Sequence, residues 1–179
     1  RQGKFELYFE NGSLAEVQTF IDDKQSGESC IYFEDGSLSA KVFYKEGQLE
    51  NEAVSYHQNG QVAHKIFYKN GKFHSQNDKP AVVLYDQEGN LFKIQEFKEG
   101  VAQGYETLFH PSGREFKKVK YLDGKKDGAE IFYDKDFNKN FVSTGNTSEF
   151  LVKENGKIGV DPSASLTINY NEKLPTKLY

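Results

Sequence analysis

Apolar and polar positions alternate along short stretches of this chain, and a glycine-centred turn interrupts the alternation every 11 to 13 residues. Residues 41–44 (Lys-Val-Phe-Tyr) and 65–68 (Lys-Ile-Phe-Tyr) have the composition of β-strands. Many turns contain Asn-Gly or Asp-Gly, which tolerate the positive φ angles of a two-residue hairpin turn. Because long helices do not fit between such closely spaced turns, the pattern predicts an all-β chain of linked antiparallel hairpins.

The turns recur with a period of 24 residues. The turns that we name long-arm turns centre on Gly12, Gly36, Gly60, Gly89 and Gly113. The turns that we name short-arm turns centre on Asp23, Gly47, Gly71, Gly100 and Gly124. A fixed period of this kind indicates an array of one small unit. We predict an antiparallel meander of about six hairpin repeats over residues 5–137 and a C-terminal β cap over 138–179, with hairpin and strand candidates at 154–157 and 166–170.

One spacing departs from the period. Gly71 and Gly89 are 18 residues apart instead of 13, which predicts an insertion near residues 74–80. Pro80 lies in this segment, and a proline has no N–H to donate to a β-ladder. We therefore expect a loop or bulge there.

The alternation also predicts which side chains share a face. If Asp35-Gly36 and Glu46-Gly47 are two-residue loops, Phe33 pairs with Leu38 and Tyr44 pairs with Leu49. Side chains alternate along a strand. Face 1, which we expect to be the core, then carries Phe33, Leu38, Ala40, Val42, Tyr44, Leu49 and Ala53. Face 2, which we expect to be a mixed surface, carries Tyr32, Lys41, Phe43, Lys45, Glu50, Glu52, Val54 and Tyr56.

Aromatic residues recur in phase with the turns. Four positions before the long-arm glycines stand Tyr8, Tyr32, Tyr56, Tyr85 and Phe109, and Tyr133 continues the series. A second series precedes the short-arm turns: Phe20, Tyr44, Tyr68, Phe97 and Tyr121. Our candidate partner-binding residues are Tyr32, Tyr56, Tyr85, Phe109, Tyr133, Phe43 and Phe67. The alternative role is ring packing that rigidifies the sheet, and the two roles are compatible.

Composition narrows the functional classes. Aromatic residues make up 15% of the chain, which argues against disorder although the mean hydropathy is -0.75. The net charge of -4 gives no basic footprint for nucleic acid. No apolar run reaches the roughly 20 residues of a membrane-spanning helix. Cys30 is the single cysteine, so no internal disulfide forms. The absence of methionine favours a secreted or cell-envelope location.

The sequence carries no catalytic or metal-binding pattern. Ser13 and Ser37 lie in turns, and Gly-x-Ser-x-Gly is absent. The glycine-rich loops lie between strands rather than before a helix, so they predict no phosphate site. His57 and His110 occupy one repeat column but lie four strands apart, about 19 Å. We predict a non-enzymatic protein with no catalytic residues, no cofactor and no metal.

The turn motifs carry a family resemblance. Tyr8-Phe-Glu-Asn-Gly-Ser-Leu14, 32–38 and 56–62 share the pattern Tyr-x-x-[Asn/Asp]-Gly-x-[Leu/Val], and 68–72 and 121–128 match its short arm. The chain resembles the MORN repeat over about residues 5–137, especially the bacterial variant found in antitoxin-like proteins. The resemblance implies an elongated, twisted antiparallel sheet and no single activity, since members include scaffolds, membrane-associated modules and antitoxins.

These observations predict a protein-interaction module, antitoxin-like or associated with the cell envelope. Recognition would use the aromatic rows of face 2, the 74–80 insertion or an exposed end strand. A phospholipid-binding or carbohydrate-binding surface is the alternative, although the acidic balance weakens attraction to anionic lipid. We expect a protein partner, no nucleic acid, and a monomer or an edge-paired dimer.

Overall fold

The computed structural model describes residues 1–76, 79–133, 140–143, 150–154 and 157–160. Its regular secondary structure in these ranges consists of β-strands: β1 (Gly3–Tyr8), β2 (Leu14–Ile21), β3 (Lys24–Gln25), β4 (Gly27–Tyr32), β5 (Leu38–Lys45), β6 (Gln48–Leu49), β7 (Asn51–Tyr56), β8 (Val62–Lys69), β9 (Lys72–Phe73), β10 (Val82–Tyr85), β11 (Leu91–Lys98), β12 (Val101–Phe109), β13 (Glu115–Leu122), β14 (Lys125–Tyr133), β15 (Asn140–Ser143), β16 (Phe150–Glu154) and β17 (Lys157–Val160).

The strands form one antiparallel sheet in which each hairpin pairs with the next. Three pairs of short strands occupy a single row each. β3 and β4 both pair with β2, β6 and β7 both pair with β5, and β9 and β10 both pair with β8. The remaining strands pair with their neighbours in the chain. The predicted all-β meander of hairpin repeats is confirmed.

The short-arm turns are two-residue turns of the predicted kind. Glu46 and Gly47 have φ angles of 52° and 81°, and Tyr44 pairs with Leu49 as predicted. Positive φ at both central positions defines the type I′ turn, whose twist matches that of the flanking strands. The Gly47 N–H also donates to the Gln25 carbonyl of the preceding hairpin at 2.8 Å. Equivalent bonds at later turns stack the short arms into a ladder.

The long-arm turns differ from the prediction. The Gly36 N–H donates to the Phe33 carbonyl at 2.9 Å, and within this turn only Gly36 has a positive φ. The turn is therefore type I followed by a glycine bulge. Tyr32 rather than Phe33 pairs with Leu38, so the predicted Phe33–Leu38 pair is wrong. The irregularity is confined to the strand end, because the Ile31–Ala40 pair already has the predicted register.

Burial is spread over both faces of the sheet. The register places the buried Ser29, Val82 and Val119 on face 1, and the buried Ala63 and Thr107 on face 2. The expectation that face 1 alone forms the core is therefore wrong. A single sheet layer buries the middle rows of both faces, and most of the other strand side chains are half-buried.

The segment predicted as an insertion contains local hydrogen bonds. Gln76 and Lys79 form an isolated bridge, and the Ser75 hydroxyl accepts the N–H of Phe97 at 2.9 Å.

The C-terminal strands continue the array. Glu154 of β16 pairs with Lys157 of β17, which fits the hairpin candidate at 154–157, although residues 155 and 156 lie outside the described ranges. The strand candidate at 166–170 also lies outside them. The boundary at residues 137/138 stays a prediction.

Candidate functional site

The register places all seven candidate residues on face 2, in two separate columns. Phe43 pairs with Glu28 and Phe67 with Glu52, near the short-arm end of the strands. Near the long-arm end lie Tyr32, Tyr56, Tyr85, Phe109 and Tyr133. The structure therefore brings these residues to one surface but does not merge them into one cluster.

The tyrosines of the long-arm column are not stacked on one another. Tyr32 in β4 and Tyr56 in β7 are separated by β5, so their backbones lie two strand spacings apart, about 9.6 Å. Among the described residues no ring contact joins Tyr32, Tyr56 and Tyr85. The aromatic contacts of the short-arm series lie on face 1, where Phe73 contacts the rings of Tyr68 and Phe97 at centroid distances of 5.3 and 5.2 Å.

Face 1 also contains half-buried ion pairs that the sequence analysis missed. Lys93 Nζ lies 2.6 Å from a Glu106 carboxylate oxygen, and Lys117 Nζ lies 3.1 Å from Glu130. Burial opposes the ionisation of Glu130, but its contacts with Lys126 and Lys117 outweigh burial and lower its pKa. The signal was a Lys and a Glu 13 residues apart, repeated after 24 residues.

Face 2 carries most of the exposed large hydrophobic side chains. Among the described residues eight large hydrophobic side chains are exposed, and Phe5 and Leu7 belong to face 1. The other six lie on face 2: Tyr8, Ile21, Phe43, Val101, Tyr105 and Leu122. A face that gathers exposed apolar side chains is a candidate interaction site in a soluble protein.

Face 2 is also rich in lysine. Within β1–β14 its strands carry eleven lysines: Lys4, Lys24, Lys41, Lys45, Lys65, Lys69, Lys72, Lys98, Lys118, Lys120 and Lys125. Its carboxylates are Glu6, Glu28, Glu52, Glu96 and Asp127 in the strands and Glu50 between β6 and β7. Over β1–β14, eleven lysines against six carboxylates leave five excess positive charges on face 2. Over the same strands face 1 carries three lysines and four glutamates.

Five of these lysines form one line beside the short-arm turns. We name Lys45, Lys69, Lys72, Lys98 and Lys125 the lysine row; all five are exposed. No carboxylate lies within ion-pairing distance of them in the part of the chain that the structure describes. By contrast, Lys41 pairs with Glu28 at 3.4 Å and Lys120 with Asp127 at 2.8 Å.

The histidines and the cysteine do not converge on one site. His64 lies on face 1. The N–H of His74 donates to the Phe67 carbonyl, and the register puts His74 on face 2. Burial, and then the neighbouring His57, lower the pKa of His64. Burial raises the pKa of the Cys30 thiol, which disfavours the reactive thiolate. Within the described ranges no three His, Cys, Asp or Glu side chains form a potential metal site.

A comparison with known protein families agrees with the hairpin repeats seen in the structure. A family model described as MORN repeat variant matches residues 1–22, 25–46 and 49–70. Each match covers one hairpin unit: β1–β2, β3–β5 and β6–β8. No curated protein matches the sequence. The described residues contain no helix long and apolar enough to cross a membrane.

Proposed function

Residues 1–70 contain three MORN repeats of the variant type, and we propose that the chain is a non-enzymatic protein-binding module that recognises its partner with face 2. MORN repeats are in general modules for interaction with proteins or membranes. The observation that carries the proposal is the concentration of exposed apolar side chains on face 2, which is also the face of the predicted aromatic residues.

The area of face 2 is sufficient for a specific complex. From β2 to β14 the sheet has ten rows, which span about 43 Å at roughly 4.8 Å per row. Six residues of strand length add about 20 Å in the other direction. The product, about 860 Å², matches the roughly 800 Å² that each partner buries in an interface of standard size.

The ring positions favour contact with a partner over internal packing. Tyr32, Tyr56 and Tyr85 are half-buried and do not stack on one another, so part of each residue stays accessible to a partner. Tyrosine supplies a large contact area at low entropic cost, since it has only two side-chain torsions. Within this class, the resemblance to bacterial variant repeats favours a toxin or a cell-envelope protein as the partner.

The proposal is tested by affinity capture with the 179-residue chain and two variants. Tyr56→Ala/Tyr85→Ala removes rings from face 2, and Phe5→Ala/Leu7→Ala removes exposed apolar side chains from face 1 as a matched control. We expect a specific protein to bind the wild type and the control, but to bind the Tyr56/Tyr85 variant at least about tenfold more weakly. Circular dichroism verifies that both variants are folded.

Two results would contradict the proposal. Equal binding of the partner to all three proteins would show that recognition does not use the face 2 rings. Flotation with phosphatidylcholine–phosphatidylserine vesicles, or retention on a glycan array, without any captured protein would assign the module to one of the alternative ligands. Both alternatives use the same purified chain, so the three ligand classes are compared directly.

A further inference from the structure

We propose that face 2 binds an acidic, extended polypeptide segment that crosses the strands along the lysine row. This inference rests on the proposed function and names the chemistry of the partner. Although the whole chain has a net charge of -4, face 2 has five excess positive charges. A partner that lies between the turns therefore meets an excess of positive side chains, and complementary charge favours its association.

The hairpin ends restrict the width of an anionic partner. The short-arm turns carry Asp22, Asp23, Glu46, Glu99 and Asp123, and the long-arm turns carry Glu10, Glu34, Asp35, Asp86 and Glu88. These carboxylates border the basic face on two sides. A bilayer is wider than the strip between them and would meet repulsion at both borders. A single polypeptide strand is narrow enough to lie between them.

The spacing of the lysine row matches an extended chain. Lys45 in β5 and Lys69 in β8 lie two rows apart, as do Lys69 and Lys98 in β11. Two rows span about 9.6 Å, and one three-residue turn of an extended polyproline II chain spans about 9.3 Å. Every third side chain of such a chain points in the same direction, so an acidic residue at every third position directs one carboxylate at each of these lysines. Ten rows, about 43 Å, accommodate about 14 such residues.

The side chains between the lysines define the rest of the segment. In the row of the lysines, Val101 pairs with Lys98 and Leu122 with Lys125, and both apolar side chains are exposed. Phe43, also exposed, lies two residues from Lys45 on the same face. Apolar residues between the acidic positions of the segment would cover these side chains. The inferred ligand thus has an acidic residue at every third position and apolar residues between them, rather than uniform charge.

The test measures fluorescence anisotropy with a labelled peptide of about 13 residues, built of Glu-Leu-Ser units and closed by Glu. Lys69→Gln/Lys98→Gln removes two charges of the lysine row. Gln58→Glu/Gln87→Glu makes the same change in net charge at two exposed positions in the long-arm turns. We expect saturable binding that weakens with salt, an affinity loss of about tenfold in the row variant, and wild-type affinity in the control.

The outcomes separate this inference from the proposed function. Equal loss in both variants, or tighter binding of a Lys-Leu-Ser peptide, would overturn the inference, as would stronger row-dependent binding of oligothymidylate or of phosphatidylserine vesicles. If a captured protein depends on Tyr56 and Tyr85 but not on Lys69 and Lys98, the inference fails and the proposed function stands. If capture is also independent of the tyrosines, both fail.

Discussion

The substitution Gly104→Ala tests the packing at an irregularity between β11 and β12, where the register shifts between Gln95 and Phe97. Gly104 has a φ of 74° and pairs with Tyr121, as Gly27, with a φ of 86°, pairs with Tyr44. A left-handed conformation costs an L-residue about 1–2 kcal/mol. Both substitutions carry this cost. They differ in space: a Cβ at Gly27 meets no atom within 4 Å, whereas a Cβ at Gly104 overlaps the Glu96 carboxyl group and lies 3.2 Å from its Cβ.

The Glu96 side chain must therefore move, and an off-rotamer position costs about 0.5–1.5 kcal/mol. We expect Gly27→Ala to lower the free energy of unfolding by about 1–2 kcal/mol and Gly104→Ala to lower it by about 1.5–3.5 kcal/mol. Urea unfolding followed by far-ultraviolet circular dichroism measures both values. In the double mutant with Glu96→Ala the excess at Gly104 should shrink. Equal losses for the two alanine variants would refute the reasoning.

Two further predictions concern face 1. Burial lowers the pKa of His64 below its ordinary value of 6.5, so the folded state binds this proton less readily than the unfolded state does. The stability that is present above about pH 6.5 is therefore lost as the pH falls. The decrease in the urea midpoint between pH 7.5 and 5.5 should be smaller in His64→Gln than in the wild type, and an equal decrease would contradict this. The Ser29 hydroxyl donates to the Val17 carbonyl at 2.8 Å, whereas the buried Ser55 hydroxyl has no partner among the described residues. Ser29→Ala should cost about 1 kcal/mol and Ser55→Ala should be neutral or stabilising in urea unfolding; equal losses would contradict the assignment.

The sequence determines the register better than it determines the turns. Asn-Gly and Asp-Gly fit a type I′ turn, but they also fit a type I turn followed by a left-handed glycine. In the turn at Gly36 the Asp35 carboxylate accepts the N–H of Ser37 at 2.8 Å, and this local bond accompanies the second form. Glycine spacing does not distinguish the two turns. The predicted division into faces nevertheless holds, because the bulge shifts only the last pair of the hairpin.

The sequence predicts which residues of the candidate site share a face, but not which of their rings are in contact. Period-two alternation places Tyr56 and Phe67 on the same side of the sheet as soon as the register is known. Whether neighbouring rings touch depends on the strand between them, and here the face 2 tyrosines are two rows apart. The charge of the face was also visible at Lys45, Lys69 and Lys98, each directly before a short-arm turn. The net charge of the whole chain does not reveal the lysines of face 2, because the turns carry many of the carboxylates that offset them.

The two faces differ in what a substitution does to the fold. Face 1 holds contacts such as the Phe73 ring cluster and the half-buried pair of Lys93 and Glu106, and loss of such contacts destabilises a protein. Exposed side chains such as Lys69 and Lys98 form no ion pair in the described residues, and surface substitutions of this type usually change stability by less than about 0.5 kcal/mol. Binding lost through changes in the lysine row therefore reports on contact with the partner, because the hairpin array that supports the row remains folded.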